Sequence, residues 1–314
     1  MKIACIGNAV FDYTVSSNKD IIIGERNSYD NSFTNVGGPA STAASVITKF
    51  GSEVDFYGRI GNDIYGKYIY DKMLAEKINL NHLVVTGEID TPFSFVTLNR
   101  LTGTRTIQTV RSKGEYDNPV IGFNDLKNDY DYILTDGKYA EDTRNLMEKN
   151  PQAFTVIDAG RINESVLNLC NIVDFIICSE DFAEGITKIK FNESYDNCVL
   201  VYNKMKELYK DAKGIVITIG KNGYICEKNN EVIINPAFKS GLPVVDTNGA
   251  GDIFHGAFTY AIANGYDYHD ALDFANTTAS LSVSKIGGRD SCPSLEEVEN
   301  ALNNSNHLVK KYHL

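Results

Sequence analysis

The sequence predicts an α/β fold with a mainly parallel central sheet. Short apolar runs such as "KIACIG", "VDFYGRIG" and "IVITIG" alternate along most of the chain with segments whose apolar residues recur at helical spacing. Strands that alternate with helices form parallel sheets covered by helices on both faces. We therefore expect residues 1–314 to form a single domain, a three-layer αβα sandwich.

Two stretches break this alternation and predict a second, smaller sheet. Residues 9–35 and 92–111 have strand-like residue patterns without intervening helical patterns. Within the second stretch, "PFSFVTLNRLTGTRTIQTV" is typical of a hairpin with a glycine-containing connection. These strands must form either a separate small sheet or an antiparallel extension of the main one.

Composition and charge narrow the class of protein. Apolar residues make up 43% of the chain and charged residues 23%, as in ordinary globular proteins, and no apolar run approaches the roughly 18 residues needed to cross a bilayer. The net charge of −11 argues against a nucleic-acid partner. The 6 cysteines are scattered without a C-x-x-C pair, which predicts reduced thiols. We expect a cytoplasmic protein that binds neither membrane nor nucleic acid.

The most informative stretch is "VVDTNGAGDIFHGAF", residues 244–258. It predicts a strand ending at Asp246, a turn of small residues, and a helix with Asp252 in its first turn. Gly249, Ala250 and Gly251 leave backbone N–H groups bare at the helix N-terminus, which favours an anion there. An acid that only complements the helix dipole would not account for the paired glycines. A carboxylate beside an anion site suits a general base in phosphoryl transfer.

A second glycine motif, "GNDIYGKY" at residues 61–68, has the spacing of a P-loop but not its chemistry. Tyr68 stands where a P-loop needs Ser or Thr to hold Mg²⁺. We interpret Gly61 and Asp63 as a turn and a helix N-cap instead.

The string Asp246-Thr247-Asn248-Gly249-Ala250-Gly251-Asp252 resembles the D-T-x-G-A-G-D signature of the ribokinase-like carbohydrate kinases, the PfkB family. Four other segments resemble family motifs in the right order: "NVGGPASTAA" (35–44), "GRIGNDIYG" (58–66), "TIGKNG" (218–223) and "FANTTASLSVSKIGG" (274–288). The resemblance covers nearly the whole chain and implies a ribokinase-like fold with the small sheet as a lid.

The resemblance also implies roles for individual residues. The catalytic set is Asp252 as base, with Gly249, Ala250 and Gly251 as the anion hole. The sugar contacts are Asp12, at the end of the first strand, with Gly37, Gly38 and Thr42. Asp136 stands at the end of a predicted strand, where ligands of open α/β sheets gather, so we expect a further substrate contact there, with a plain strand-end turn as the alternative. The ATP contacts are Thr218, Gly220, Gly223 and Asn276. The implied cofactors are ATP and Mg²⁺, with a monovalent cation (K⁺) allowed, and the implied partners are a small sugar and a second copy bound through the lid.

Three positions depart from the family pattern. Thr42 replaces an Asn found in many sugar kinases, which leaves the sugar open. Ser179 and Phe182 stand at the two fixed positions of the family's N-x-x-E motif, so we assign no metal ligands. Asn248 replaces the second Thr of the signature, which leaves the cation loop, with Asp246, open as well.

We therefore expect an ATP-dependent sugar kinase that phosphorylates a hydroxymethyl group. The hairpin at 92–111 resembles those of ketohexose kinases, which favours fructose or a related ketose. A nucleoside kinase of the same fold is an alternative, with Phe93, Phe95 or Tyr13 as the wall for the base. A phospho-sugar kinase would need a basic cluster, for which the chain offers Arg26, Arg105, Arg111 and Arg161. A catalytically inactive sugar- or nucleotide-binding regulator is the alternative from another class.

Overall fold

The computed structural model describes residues 1–110, 121–123, 126–192 and 194–304. Within these ranges the strands are β1 (Ile3–Ile6), β2 (Val10–Ser17), β3 (Asn31–Gly37), β4 (Val54–Gly61), β5 (Asn79–Thr86), β6 (Phe93–Asn99), β7 (Arg105–Val110), β8 (Tyr132–Thr135), β9 (Phe154–Ala159), β10 (Phe175–Ser179), β11 (Gly214–Thr218), β12 (Tyr224–Lys228) and β13 (Glu231–Asn235). The α-helices are α1 (Pro39–Lys49), α2 (Ile64–Ala75), α3 (Ala140–Lys149), α4 (Glu164–Cys170), α5 (Glu180–Thr187), α6 (Tyr195–Leu208), α7 (Ala250–Ala263), α8 (Tyr268–Ser282) and α9 (Leu295–Asn304).

The described strands form a main sheet in the order β13-β12-β11-β10-β9-β8-β1-β4-β5. Every neighbouring pair from β11 to β5 is parallel, and only the β11–β12 and β12–β13 pairs are antiparallel. The prediction of a mainly parallel sheet is confirmed. The β12–β13 hairpin turns at Asn229 and Asn230, as expected, and both have positive φ (53° and 64°).

Helices cover both faces of the main sheet. Alternate residues of one strand belong to different cores: Ile3 and Cys5 pack in a cluster with α1, α7 and α8, whereas Ala4 and Ile6 pack in a cluster with α3. Because successive side chains of a strand point to opposite faces, these cores lie on opposite sides of the sheet. A third cluster joins β9 and β10 to α4, α5 and α6. The three-layer αβα sandwich is confirmed.

The stretches without helices form a separate sheet, ordered β3-β2-β6-β7, which we call the lid sheet. It is not wholly antiparallel, because β2 and β6 run parallel while β2–β3 and β6–β7 are antiparallel. Its strands lie close to the predicted stretches, although β3 continues to Gly37 and residue 111 is outside the described part of the chain. Of the two options left open by the sequence, the separate sheet is the observed one.

Two local predictions near the site are wrong. Residues 244–246 form no strand: the N–H groups of Val245 and Asp246 donate to the Val283 carbonyl at the end of α8 (2.8 and 3.2 Å), so the segment follows a helix end rather than a sheet edge. Asp12 does not end the first strand, because β1 stops at Ile6 and the chain crosses to the lid sheet before Asp12, which lies within β2.

Other features agree with the sequence. Asp63 is the N-cap of α2, and its carboxylate accepts from the N–H groups of Tyr65 and Gly66 (3.0 and 2.8 Å), which accounts for the glycine motif without a P-loop. All six cysteines are buried free thiols. Among the described residues, no helix is both long and apolar enough to span a bilayer.

Candidate active site

A cavity of about 290 Å³ lies between the carboxyl ends of the main-sheet strands and the lid sheet. The main sheet contributes residues that follow or end β1, β8 and β9, namely Asn8, Asp136 and Asp158. The lid sheet contributes every second residue of β2 and β6, namely Asp12, Thr14, Ser94 and Val96. This is the position where open α/β sheets bind ligands.

The N-terminus of α7 forms one wall of this cavity. Its N-cap is Gly249, whose φ of 74° lies in the left-handed region that suits glycine. The cap and Asp252 line the cavity, and Ala250 and Gly251 lie between them at the start of the helix. Because the first N–H groups of a helix have no partner within it, this end can accept an anion.

Asp252 is held in conditions that disfavour its charge. Burial, followed by the nearby charge of Asp158, raises the pKa of Asp252 to about 7, while His255 and Arg105 act in the opposite direction. A carboxylate with a pKa near the working pH is well suited to accept and release a proton.

Asp12 projects from the lid sheet into the same cavity. Burial and the Coulomb repulsion from Asp252 raise its pKa to about 7, and a hydrogen bond with the Ser94 side chain partly offsets this. The backbone of Gly37 passes close by: a Cβ added there would lie 2.0 Å from Asp12 Oδ2. Glycine at this position therefore leaves room for the Asp12 carboxylate.

The turn after β3 also lies against the cavity. Gly38 has a φ of 97°, and a Cβ there would come within 2.5 Å of the Asn8 carbonyl. Thr42, one turn into α1, is buried and lines the cavity. Asp136 also lines the cavity. Its carboxylate accepts from the N–H groups of Asn8 (2.7 Å) and Lys138 (3.0 Å) and so holds the chain in place after β1.

Asp246 holds the α7 turn to a second loop. Its carboxylate accepts from the N–H groups of Asn248 (2.8 Å) and Gly287 (3.0 Å). The loop containing Gly287 and Gly288 thereby reaches the cavity beside Gly249. The backbones of Gly249 and Gly288 lie close together, because a Cβ added at Gly249 would lie only 3.4 Å from the Gly288 carbonyl carbon.

Of the predicted ATP contacts, Asn276 lines a second cavity, of about 280 Å³, and Thr218, Gly220 and Gly223 do not. Asn276 on α8 donates to the Pro236 carbonyl over 2.9 Å. Gly223 abuts the same segment, because a Cβ there would lie 1.9 Å from the Asn235 carbonyl oxygen. Thr218 is the last residue of β11, and Gly220 begins the turn that follows it.

The altered N-x-x-E positions have structural roles. Ser179 is the N-cap of α5, and its hydroxyl accepts from the Phe182 N–H over 3.2 Å. Phe182 is buried in the apolar cluster beneath α5. Within the described ranges, no group of three or more His, Cys, Asp or Glu side chains is arranged to hold a metal ion.

The sequence did not identify several residues of the first cavity. Asp158 could have been found by the rule that drew attention to Asp136, since both stand at the carboxyl end of a strand. Arg289 lines the cavity with its side chain buried and paired with Glu76, a contact between segments far apart in sequence that no local pattern predicts. Arg161, named from the sequence only as a candidate for a basic cluster, lines the cavity and is exposed.

The aromatic wall considered for a nucleobase is not in the cavity. Asp12 and Ser94 face inward, so their neighbours on β2 and β6 point to the other side of the lid sheet. There, Tyr13 stacks on Phe95 with ring centroids 6.0 Å apart, and Phe93 packs on Phe11 at 5.7 Å. The expectation that Phe93, Phe95 or Tyr13 could line the site is therefore wrong.

Comparison with known proteins identifies the family of the chain. A family model described as pfkB family carbohydrate kinase matches residues 1–295. The chain is similar to a ribokinase of Bacillus subtilis (strain 168), with 27% identity over 302 residues that cover 96% of this chain and 99% of the relative.

Two solved structures share the fold. The ribokinase of Arabidopsis thaliana, complexed with ribose and ATP, is 22% identical with a TM-score of 0.77, over 96% of this chain and 98% of that one. A nucleoside kinase of Methanocaldococcus jannaschii, described as an archaeal member of the ribokinase family, is 19% identical with a TM-score of 0.74, over 96% of this chain and 98% of that one. At these identities, the likeness establishes the fold alone.

The family match extends over both sheets, the α7 turn and the lid residues that line the cavity. The chain belongs to the pfkB family of carbohydrate kinases and is a phosphotransferase whose acceptor is an alcohol group.

Proposed function

We propose that this protein is an ATP-dependent kinase that transfers the γ-phosphoryl group to the hydroxymethyl group of ribose or a closely related small sugar. One observation carries the proposal: Asp12, Asp252 and the N-terminus of α7 face the same cavity. A sugar-binding carboxylate, a base and an anion site are the parts that this reaction needs.

The proposed roles follow from the positions of these groups. Asp252 accepts the proton of the acceptor hydroxyl as the oxygen attacks. The N–H groups of Gly249, Ala250 and Gly251 stabilise negative charge on the phosphoryl group during transfer. Asp12 accepts hydrogen bonds from sugar hydroxyls, and Gly37, Gly38, Thr42 and Asp136 shape and line the rest of the sugar site. The lid sheet excludes water that would otherwise compete as acceptor.

ATP supplies the phosphoryl group, and the residues present fit it. The α7 N-terminus suits its phosphates, and the glycine at residue 223 lets the backbone of Asn235 pass close to the turn after β11, beside the second cavity that Asn276 lines. We propose that Thr218, Gly220, Gly223 and Asn276 hold the nucleotide. Mg²⁺ on a nucleotide usually takes phosphates, waters and only one or two carboxylates, and Glu180 and Asp181 are the carboxylates that follow β10. K⁺ near Asp246 stays a prediction from the resemblance.

Ribose is favoured over fructose because curated relatives, including the one in Bacillus subtilis, are named ribokinase. The cavity, at about 290 Å³, lies at the lower end of the range for ligand sites, which suits a small sugar better than a nucleoside. The absence of Tyr13, Phe93 and Phe95 from its lining also weakens the nucleoside alternative.

The arginines do not favour a phosphorylated acceptor. Arg161 lines the cavity, but Arg289 is paired with Glu76 and Arg105 binds Thr247. Arg26 lies exposed on the β2–β3 connection, and Arg111 is outside the described residues. The inactive-regulator alternative is disfavoured because a binding protein has no need for a base placed beside an anion site.

We also propose that two copies associate through the lid sheet. The observation in favour is β7, a lid strand at the sheet edge whose described residues are all exposed, including Ile107 and Val110. An edge strand with unpaired backbone groups is a natural place for another chain to pair. Light scattering of the purified protein tests this, and a monomer at micromolar concentration would contradict it.

The acceptor is tested by measuring ADP release from Mg-ATP with ribose, fructose, other ketoses and aldoses, phospho-sugars and nucleosides. We expect the highest kcat/KM for ribose. Preference for fructose would return the assignment to a ketose kinase, and preference for inosine or adenosine to a nucleoside kinase. Binding of ATP and sugar without turnover would instead support the regulator.

A further inference from the structure

His255 is a buried imidazole that the proposed transfer does not use. It follows Asp252 on α7, and only 4% of the residue is exposed. Nδ1 lies 2.6 Å from the Gly251 carbonyl oxygen, and Nε2 lies 3.1 Å from the Ile177 carbonyl oxygen of β10. The ring therefore joins the first turn of α7 to the main sheet directly beneath the anion site.

A third acceptor, the carboxylate of Asp158, faces the same ring. Asp158 Oδ2 lies 3.2 Å from His255 Nδ1, as an ion-pair contact rather than an aligned hydrogen bond. This oxygen is buried and has no hydrogen-bond partner among the described residues. Both side chains are over nine-tenths buried, with 5% and 8% exposed.

The two carbonyl acceptors around the ring favour a ring with two N–H donors. A neutral imidazole has one N–H donor and one acceptor nitrogen, whereas an imidazolium has two donors. Both carbonyls that the ring meets can only accept. A neutral ring would leave one nitrogen lone pair facing a carbonyl oxygen. A protonated Asp158 could donate to Nδ1 in that state, but the 2.6 Å contact between Nδ1 and the Gly251 carbonyl oxygen would then join two acceptors. An imidazolium donates to both carbonyls and pairs with an ionised Asp158.

Burial opposes both charges and is the largest influence on each: the pKa of His255 lies below its usual value, and burial together with the Asp136 charge raises that of Asp158 to about 8. The two carbonyls and the Asp252 charge act the other way on His255. Other titratable groups face the cluster from neighbouring elements, namely Asp136 after β8, Cys178 on β10, Asp12 on β2 and Arg105 on β7. The guanidinium groups of Arg161 and Arg289 also line the cavity that Asp158 lines, but among the described residues the ion-pair contact of Asp158 is with His255.

We propose that His255 is a positioning residue that, as an imidazolium paired with Asp158, anchors the Gly251 carbonyl and neutralises the Asp158 charge so that Asp252 can ionise. The inference rests on the proposed role of Asp252 as base. It adds a charge pair beneath the site that sets the pH range in which this base works.

Three variants separate charge from anchoring. His255→Asn keeps an amide donor near the position of Nδ1 but carries no charge. Asp158→Asn removes the partner charge, and the double variant removes both. Thermal unfolding of each variant identifies any that are misfolded before kinetics are compared.

The readout is the acidic limb of the pH profile of kcat/KM. In His255→Asn an unbalanced Asp158 charge should move that limb up by about one pH unit, so that kcat/KM below the limb falls about tenfold. In the double variant the limb should return towards the wild-type position. An unmoved limb in His255→Asn, or an equal shift in the double variant, would overturn the proposal.

A second measurement needs no activity. In the protein without substrates, the ¹⁵N shifts of the His255 ring, assigned by their loss in His255→Asn, should be those of an imidazolium at pH 7. Shifts of a neutral ring would overturn the charge pair even if Asp252 proves to be the base. A wild-type enzyme without phosphoryl transfer, but with a charged His255, would contradict the proposed function and leave the pair intact.

Discussion

Arg105 of the lid sheet donates from Nη1 to the hydroxyl oxygen of Thr247 over 2.6 Å. Thr247 stands in the turn that leads into α7, and its hydroxyl donates in turn to the Gly103 carbonyl (3.2 Å) in the lid hairpin. The lid sheet and the turn before α7 are thus joined by hydrogen bonds that Thr247 both accepts and donates. A change at this contact should therefore affect closure and transfer together.

We expect Arg105→Gln to weaken lid closure. Losing a charged donor should raise the KM for the sugar and lower kcat/KM by about tenfold. A less closed lid should also admit water, so ATP hydrolysis without sugar phosphorylation should rise relative to the wild type. Parallel assays of ADP and sugar phosphate measure both effects. Arg26→Gln, on an exposed part of the β2–β3 connection, is the control, and equal behaviour of the two variants would contradict the lid contact.

Gly251 offers a test that separates fold from function. A Cβ at this residue would meet no protein atom within 4 Å, so the fold has room for it. Alanine also favours a helix over glycine by about 0.5–1 kcal/mol. We therefore expect Gly251→Ala to keep or raise the Tm.

The same methyl group would enter the space that we propose for the phosphoryl group. The KM for ATP should rise and kcat/KM should fall, by at least tenfold for a displacement of about 1 Å. Gly87→Ala is the matched control, since a Cβ there also meets open space but far from the α7 turn in sequence. Full activity of Gly251→Ala would show that the anion does not bind close to this glycine.

The raised pKa of Asp252 predicts opposite effects of pH on activity and stability. A base with a pKa of about 7 loses its proton as the pH rises through 7, so kcat/KM should rise there. The folded protein keeps this proton between about pH 4 and 7, whereas the unfolded chain releases it near pH 4. The group thus stabilises the fold at low pH, and this stabilisation is lost as the pH rises through 7.

Asp252→Asn should remove this pH dependence. Near pH 4 the variant and the wild type should unfold at similar temperatures, because the wild-type carboxyl group is then neutral. At pH 8 the free energy of unfolding of the variant should exceed that of the wild type by about 2 kcal/mol, which is part of the free energy that corresponds to the raised pKa of Asp252. Differential scanning calorimetry across this range measures the difference. A variant less stable than the wild type at pH 8 would show that Asp252 is not strained by burial.

The sequence predicted those parts of the site that depend on local strings. The turn before α7 could be predicted because a run of small residues at the start of a helix has few structural uses. Its preceding segment could not, because the apolar Val244 and Val245 look like a strand until the contact with Val283 is known. Strand geometry explains why Tyr13 lies outside the cavity. Successive side chains of a strand point to opposite faces, so when Asp12 faces the cavity, Tyr13 faces away from it.

Contacts between segments that are distant in the chain could not be predicted from the sequence. The pairing of Arg289 with Glu76 and of His255 with Asp158 joins residues whose neighbours in the chain give no hint of a partner. Such pairs are created by the packing of whole elements, so only the fold reveals them.

The central claim is that Asp252 removes the proton from the acceptor. It is tested most directly by kcat/KM for ribose phosphorylation in Asp252→Asn, beside Asp71→Asn on the exposed surface of α2. We predict a loss of about 10²-fold or more for Asp252→Asn, with ATP binding retained, and wild-type kinetics for Asp71→Asn. If Asp252→Asn phosphorylates ribose at the wild-type rate, another group is the base and the account of this site is contradicted.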